Sequence, residues 1–552
     1  MTSPMESHCL SFREIPGTTK LFTAYLSQFD RIARYYGHPP DEEGVLAAAR
    51  EIRLDPAVRG SVVEVLREQN RWFGAGGALD PATAKNLDRL AAGAAAIVTG
   101  QQVGLFSGPA YTIYKAISAA RWAQSITRRG IDAVPVFWLA TEDHDLAEIN
   151  HVFWNTRRGL ERFELPAREI SAGRRVGEIK LGEAILPLVE SAAESLEGES
   201  SGEIARWLRE SYASGETYGS AFGKLMSRVF AGRGIIFLDP LDPRLHRLAS
   251  PVYRRALDES DSLRDALAAR SKELEHESFH AQVKNPREST LLFYNVTGVR
   301  HPLRRRNGHF VAGNASFTAA ELHAALDRAP EDFTPNVLLR PIVQDSLLPT
   351  AAYIGGPAEI AYMAQAQVVY SQLLGRMPAM LPRLSATLVE SALSRLMKKY
   401  SLDFSAVLRG RQHLRARMEL QSLPRGLARR FAADEKVLRR LWKGYLKPLA
   451  RLDKTLLGAR DTAERKMLHQ FLKLKARAGR AEALRTGVLD RRERLLLDSL
   501  LPNHGLQERS LCFLPFLALY GTQLLDDLSA LACQASSQSS SAPPHPHRIV
   551  SL

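Results

Sequence analysis

The chain has 552 residues, 45% of them hydrophobic and 24% charged, a balance that supports a sizeable core and two to four domains, or one large domain with an appendage. Its formal charge of +14 favours anionic partners, but arginines are spread through helical stretches rather than gathered in one tail, so a solvated basic surface is expected and nucleic-acid binding is not. The three cysteines, Cys9, Cys512 and Cys533, make no CxxC pair, which argues against a disulfide framework and a Cys-rich zinc site.

Residues 1–16 have no basic stretch followed by an apolar run. No segment reaches the ~18 apolar residues that span a bilayer. The longest, residues 511–520, is shorter and holds Pro515. A cytoplasmic protein with no membrane partner is expected.

Residues 1–90 read as amphipathic helices at 21–36, 41–50 and 58–72, broken by the glycines at 74–77 and restarted by Asp80-Pro81 as a cap with proline in the first turn. Residues 95–99, 134–140 and 234–238 are short apolar runs without polar alternation, with a helix predicted at 109–123. Such strands, separated by helices, predict a parallel sheet covered on both faces, the core of a Rossmann-like α/β fold. Residues 290–313 alternate differently, and Asn307-Gly308 between extended runs predicts a β-meander; Ser316 is the expected cap of a helix over 317–328. A strand at 351–354, a turn at 355–357 and a helix at 358–374 return to α/β.

Residues 390–500 read as almost wholly helical. Leu438, Leu441, Tyr445, Leu449, Leu452, Leu456, Ala459 and Ala463 recur at three-four spacing, which is coiled-coil geometry, and Pro448 should bend that helix. Two long helices folded back as an antiparallel pair fit the length. The expected organisation is a helical segment at 1–90, an α/β core with inserted segments at 91–390, a coiled coil at 391–505, a segment returning to the core at 506–533, and a disordered Ser/Pro-rich tail at 534–552.

Three motifs could carry chemistry. The first, TGQQVGLFSGP at 99–109, follows a strand and opens a helix. Gly100, Gly104 and Gly108 free the backbone, Gln101 and Gln102 offer amides, Ser107 and the helix start offer donors to an anion, and Tyr111 and Lys115 follow. It is neither a Walker loop nor a GxGxxG fingerprint, and a plain strand-to-helix turn explains it equally well. The second, Glu142-Asp143-His144-Asp145, sits at a strand's carboxyl edge, with Asn150 and His151 after it. Asp143 and Asp145 could orient His144 as a general base, hold a divalent cation or bind a substrate amine, or the acids could simply favour a helix start. His144 and His151, seven apart, would share a face if helical. No spacing matches a metal site. The third runs from Arg340 through Gln344 and Asp345 to Tyr353, Gly355, Gly356, Glu359 and Tyr362. Arg340 could clamp a carboxylate in a bidentate fork, and Gly355-Gly356 open another helix. Arg304-Arg-Arg306 reads as a solvated hairpin face.

At these motifs the sequence resembles the bacillithiol biosynthesis cysteine-adding (bacillithiol synthase) family. The matching blocks are 99–119, 135–151 (PVFWLATEDHDLAEINH), 234–243, 333–365 (FTPNVLLRPIVQDSLLPTAAYIGGPAEIAYMAQ), 382–390 and 506–521, in family order across about three quarters of the chain. The tail past 533 departs from the pattern. The resemblance implies a nucleotidyltransferase-like Rossmann core, an antiparallel coiled coil supporting homodimers, and amide formation between L-cysteine and the amine of glucosaminyl-malate. Such a bond needs an activated carboxyl, for which Mg-dependent ATP is the expected source. His144 would then take the amine proton, residues 100–109 would hold phosphates, and Arg340 would hold a carboxylate. Two rivals stay open at this point: an adenylate-forming enzyme for another small substrate, and a non-enzymatic coiled-coil or RNA-binding scaffold.

Overall fold

The computed structural model describes residues 7–166, 173–532 and 545–552. They form two compact units: the described residues within 9–386 and 508–548, and residues 387–507 with 7–8 and 549–552.

The larger unit is built on a five-stranded parallel sheet. Its spatial order is Ala379–Pro382, Thr350–Gly355, Ala95–Gln101, Ala133–Leu139, Ile236–Leu238. In chain order this is 5-4-1-2-3, the doubly wound Rossmann arrangement. The strands are buried almost throughout because helices cover the sheet, among them Tyr111–Arg128 and Glu42–Arg50. Ala95, Ile97, Trp122, Ile126, Ala352, Ile354 and Leu381 belong to one fully packed cluster.

Two inserts stand apart from this sheet. The meander is there, as Ser289–Val296, Val299–Arg306, His309–Ala312 and Ala315–Phe317, with Phe333–Pro335 added antiparallel beside the first strand. Asn307 and Gly308 both take positive φ (48° and 83°), as a two-residue hairpin turn requires. Ser316 is not the helix cap but part of the last meander strand; Thr318 caps Ala319–Arg328, exchanging hydrogen bonds with Glu321. The second insert, a hairpin of His151–Thr156 and Gly159–Glu164, overturns the helical relation between His144 and His151: only Leu146–Ile149 is helical, and His151 starts a strand.

The N-terminal reading needs two adjustments. The chain has a short strand at Ser7–Leu10, and the predicted 21–36 helix breaks at Gln28 into Lys20–Ser27 and Phe29–Ile32. Asp80 caps Pro81–Ala91 as expected.

The smaller unit is helical. Arg425–Gly444 packs against the 31-residue helix Leu456–Thr486, about 46 Å long at 1.5 Å per residue, with Phe431 and Phe471 in edge contact at 5.4 Å. Pro448 lies in Leu446–Leu452, a short helix at the bend between the two. Of the spaced apolar positions, Leu441, Tyr445 and Leu452 are exposed in the single chain.

The tail corrects one expectation. Residues 533–544 lie outside the described residues, but His547–Ser551 is a strand with His547, Arg548 and Val550 buried. Low complexity at 534–546 hid a short strand that buries Ile549 and Val550 and so offsets the entropy of ordering.

Candidate active site

The order 5-4-1-2-3 makes the chain direction of the winding reverse between Ala95–Gln101 and Thr350–Gly355, where the two adjacent loops part and leave a crevice beyond the carboxyl ends. A cavity of about 790 Å³ opens there, within the range of ligand sites. Its wall takes Gly100, Gln101 and Gln102 from the first strand's end, and Tyr353 and Gly356 from the fourth strand's. The second strand contributes Glu142, Asp143 and His144; Tyr111, Lys115, Arg340, Glu359 and Tyr362 are the other wall residues that were predicted from sequence.

At the crevice floor Lys115 is buried. Its ammonium lies 2.6 Å from Glu359 Oε2 and donates to Gly100 O (2.7 Å) and Gln101 Oε1 (2.9 Å). Burial draws the Lys115 pKa below its ordinary value, against the pull of Glu359. Burial also raises Glu359, but the Lys115 ammonium and the donors Gly356 N–H (2.8 Å) and Tyr353 hydroxyl (2.7 Å) outweigh it and keep the carboxylate ionised. Arg340 donates to Gln344 Oε1 (3.0 Å) and lies over the Tyr353 ring.

On the opposite wall Gln102 Nε2 donates to Asp143 Oδ2 (2.7 Å) and the His144 N–H to Asp143 Oδ1 (2.7 Å). His144 does not stand free as a base. Its Nδ1 accepts from Arg300 at 2.9 Å. Partial burial, then the Arg300 charge, push its imidazole below the usual histidine range. Glu142 is buried, and burial lifts its carboxyl to about 7 despite the nearby Arg300.

Nine predicted residues fall outside the cavity wall. Gly104, Ser107 and Gly108 belong to a buried turn whose Phe106 packs on Trp154 and Tyr212. Gly104 is needed there for close approach, since a Cβ would meet Gly108 Cα at 2.9 Å. That turn faces the core because Phe106 and Leu105 carry too much apolar surface to leave in water. Asn150 donates to Leu165 O, bridging inward, and His151 meets Phe153 edge-on in the hairpin. Asp145 precedes the short helix, beyond the wall. Asp345 is buried with Tyr370 and lines a separate cleft with Arg376; Gln344 touches the site only by holding Arg340. Gly355 is the last residue of its strand, one before the lining Gly356.

Sequence reasoning missed several wall residues. Arg300 is the foremost: its guanidinium lies 3.7 Å from the Phe293 ring centroid and donates to Thr334 Oγ1 (2.8 Å) and Pro335 O (2.9 Å). Arg383, buried, reaches over the Tyr111 ring and pairs with Glu508 at 2.7 Å. Arg304, read as part of a solvated face, lines the cavity, as do Lys284 and Arg509. Arg300 shares its strand face with the exposed Pro302 and Arg304, opposite the buried Leu303, so nothing in the local sequence VRHPLRRR set it apart. Among the described residues no group of three or more His, Cys, Asp or Glu side chains is arranged to hold a metal, and no helix is long and apolar enough to cross a membrane.

A doubly wound sheet with a charged cavity at its switch point is the architecture of a Rossmann-like enzyme, here joined to a helical unit with coiled-coil patterning. Residues 5–384 match the family described as "Bacillithiol biosynthesis BshC, N-terminal Rossmann-like domain", and residues 386–538 match "Bacillithiol biosynthesis BshC, C-terminal coiled-coil domain". The chain belongs to this family of bacillithiol-biosynthesis ligases. Similar proteins named "Putative cysteine ligase BshC" occur in Koribacter versatilis (42% identity, covering 94% of this chain and 96% of that protein), Solibacter usitatus (38%, 94% and 96%) and Salinibacter ruber (31%, 92% and 93%).

Proposed function

We propose that this chain joins L-cysteine to the amine of glucosaminyl-malate, forming the amide that completes bacillithiol, in the cytoplasm and with ATP as the source of carboxyl activation. The observation that carries the reading is the cation-rich cavity at the switch point, where Arg300, Arg340, Arg383 and Lys115 meet Glu142, Asp143 and Glu359 within about 790 Å³. A substrate with two malate carboxylates needs planar, fixed cationic forks, and Arg340, held by Gln344 and Tyr353, is one such fork. The family relationship and the names of the relatives supply the amide chemistry.

ATP suits the same cavity by charge: several arginines fit a polyphosphate, and the Mg²⁺ would come with the phosphates, since no cluster of protein ligands is arranged for it among the described residues. When bound, ATP would supply the activation that an amide bond requires in water. The chain's own part is to hold the carboxylates, exclude water and remove the proton of the attacking amine.

A homodimer through the helical unit belongs to the same reading. Val437, Leu441, Leu452 and Leu474 are 51–82% exposed, more apolar surface than solvated helices ordinarily leave uncovered. Light scattering of the purified protein tests it, a monomer at micromolar concentration counting against it.

The deciding experiment incubates the protein with glucosaminyl-malate, cysteine and Mg-ATP and follows bacillithiol by mass spectrometry. An ATP-dependent product is expected, and the nucleotide released distinguishes adenylation from phosphorylation. Intact substrates after incubation with folded protein would overturn the reading.

A further inference from the structure

Glu142 occupies an unusual place on the cavity wall. The half-buried wall carboxylate Glu359 accepts from Lys115, Tyr353 and the Gly356 N–H. Asp143 accepts from Gln102 and from the His144 N–H. Glu142, 6% exposed, has no hydrogen bond at Oε1. His246 Nε2 lies 3.6 Å from it, itself buried and without a hydrogen-bond partner. On the far side of that ring, His246 Nδ1 meets the Tyr253 hydroxyl at 3.2 Å.

Once the 3.6 Å gap closes by a few tenths of an ångström, such a chain serves a carboxyl in both of its protonation states. With Glu142 ionised, the neutral imidazole carries its hydrogen on Nε2, pointing at Oε1, and Tyr253 donates to Nδ1. With Glu142 protonated, the carboxyl donates to Nε2, and the Nδ1 hydrogen donates to the Tyr253 oxygen. His246 stays neutral throughout, because burial pushes its imidazole down to about 3. A fixed ion pair would hold Glu142 in one state; here burial and Asp239 favour the acid, Arg300, Arg175 and Arg340 favour the carboxylate, and the His246–Tyr253 pair accommodates both, which suits a group that gains and loses a proton each turnover. His144 lacks this freedom, since the lone pair of Nδ1 is engaged by Arg300.

We infer that Glu142, rather than His144, is the catalytic general base of the amide-forming step, backed by His246 and Tyr253 as positioning residues. The inference rests on the ligase reading above. The attacking amine nitrogen gives its proton to the Glu142 carboxylate as its lone pair forms the C–N bond to the cysteine carbonyl carbon. The bond from that carbon to the leaving-group oxygen breaks, its electron pair departing on that oxygen. Burial holds the Glu142 carboxyl at about 7, near working pH, where proton transfer to and from it is most effective.

The test is the pH dependence of kcat for bacillithiol formation in the full-length wild type, Glu142→Gln and His144→Ala, with thermal unfolding of each. Glutamine can donate its amide to His246 Nε2, so Glu142→Gln should keep the fold. Expected are a wild-type kcat that falls below about pH 7 with a one-proton slope, and a loss of about 10²-fold or more in Glu142→Gln with KM little changed. That variant should lose the acid limb, whereas His144→Ala should keep it. A Glu142→Gln enzyme within tenfold of wild type, or retaining the acid limb, overturns the inference. If that variant unfolds, the wild-type profile decides: no one-proton limb near 7 overturns it. Wild type that makes no amide at any pH overturns the ligase reading, and the inference with it, whereas an active wild type beside an active Glu142→Gln overturns the inference alone.

Discussion

The Lys115 ammonium sits 2.6 Å from the Glu359 carboxylate at the floor of the crevice, joining the helix after the first strand to the helix after the fourth. This pair ties together the two elements that part to make the cavity. A buried pair contributes little net stability when intact, but removing one partner strands the other.

Lys115→Met should therefore destabilise the protein by about 2–4 kcal/mol, because Glu359 loses its counter-ion while held in a largely dry site. Adding Glu359→Gln should recover part of that loss. Urea unfolding of the two single variants and the double variant measures the coupling, and simple additivity would contradict the pairing.

Arg300 should control the titration of His144. The guanidinium lowers the His144 pKa in addition to burial. Arg300→Met should let the imidazole titrate at higher pH, while burial still holds it below a free histidine. Histidine-labelled NMR across a pH series reads the shift, and an unchanged midpoint would show that the 2.9 Å contact does not persist in solution.

Stability should fall between pH 6.5 and 4. Burial lowers His545 and His547 to about 4 and His246 to about 3, so the unfolded chain binds protons in this window that the native state refuses. Each such histidine weakens the fold by up to about 1.4 kcal/mol per pH unit as the pH drops through the window. Glu142 acts in the opposite sense: raised to about 7, its contribution is complete below about 4.5 and lost as the pH rises through 7, so it offsets part of the slope. His547→Asn should flatten the dependence by up to one proton, measured by unfolding at a series of pH values.

Gly479 is the close-approach point of the helical unit. A Cβ there would lie 2.3 Å from Glu419 O on the neighbouring helix. Gly479→Ala should cost about 1–3 kcal/mol by forcing the helices apart, despite alanine's better helix propensity. Gly458→Ala, with open space at its Cβ, should be neutral or stabilising by circular-dichroism melting.

Much of the α/β core was readable because continuous apolar strands at 95–99, 134–140 and 351–354 have no other economical explanation. The place of residues 142–144 on the cavity wall was readable because charge at the rim of a buried strand is costly unless it faces a solvated crevice. The turn at 104–108 was not, because glycines signal backbone freedom equally in a phosphate loop and in a buried corner, and only the packing of Phe106 on Trp154 and Tyr212 decides which. The tail strand His547–Ser551 was hidden by the Ser/Pro-rich residues before it.

The sequence by itself determined the strand and helix types, the parallel sheet and the helical coiled-coil segment, because hydrophobic period is a local property. The tertiary structure alone decided that strands one and four are neighbours, opening the crevice between their loops. It also brought Arg300 to the wall that holds Glu142 and His246 to a place behind it, although both are more than 100 residues from Glu142 in sequence. Long-range convergence leaves no periodic trace in the chain, since it is set by strand order and by which buried charges find partners once the sheet has closed.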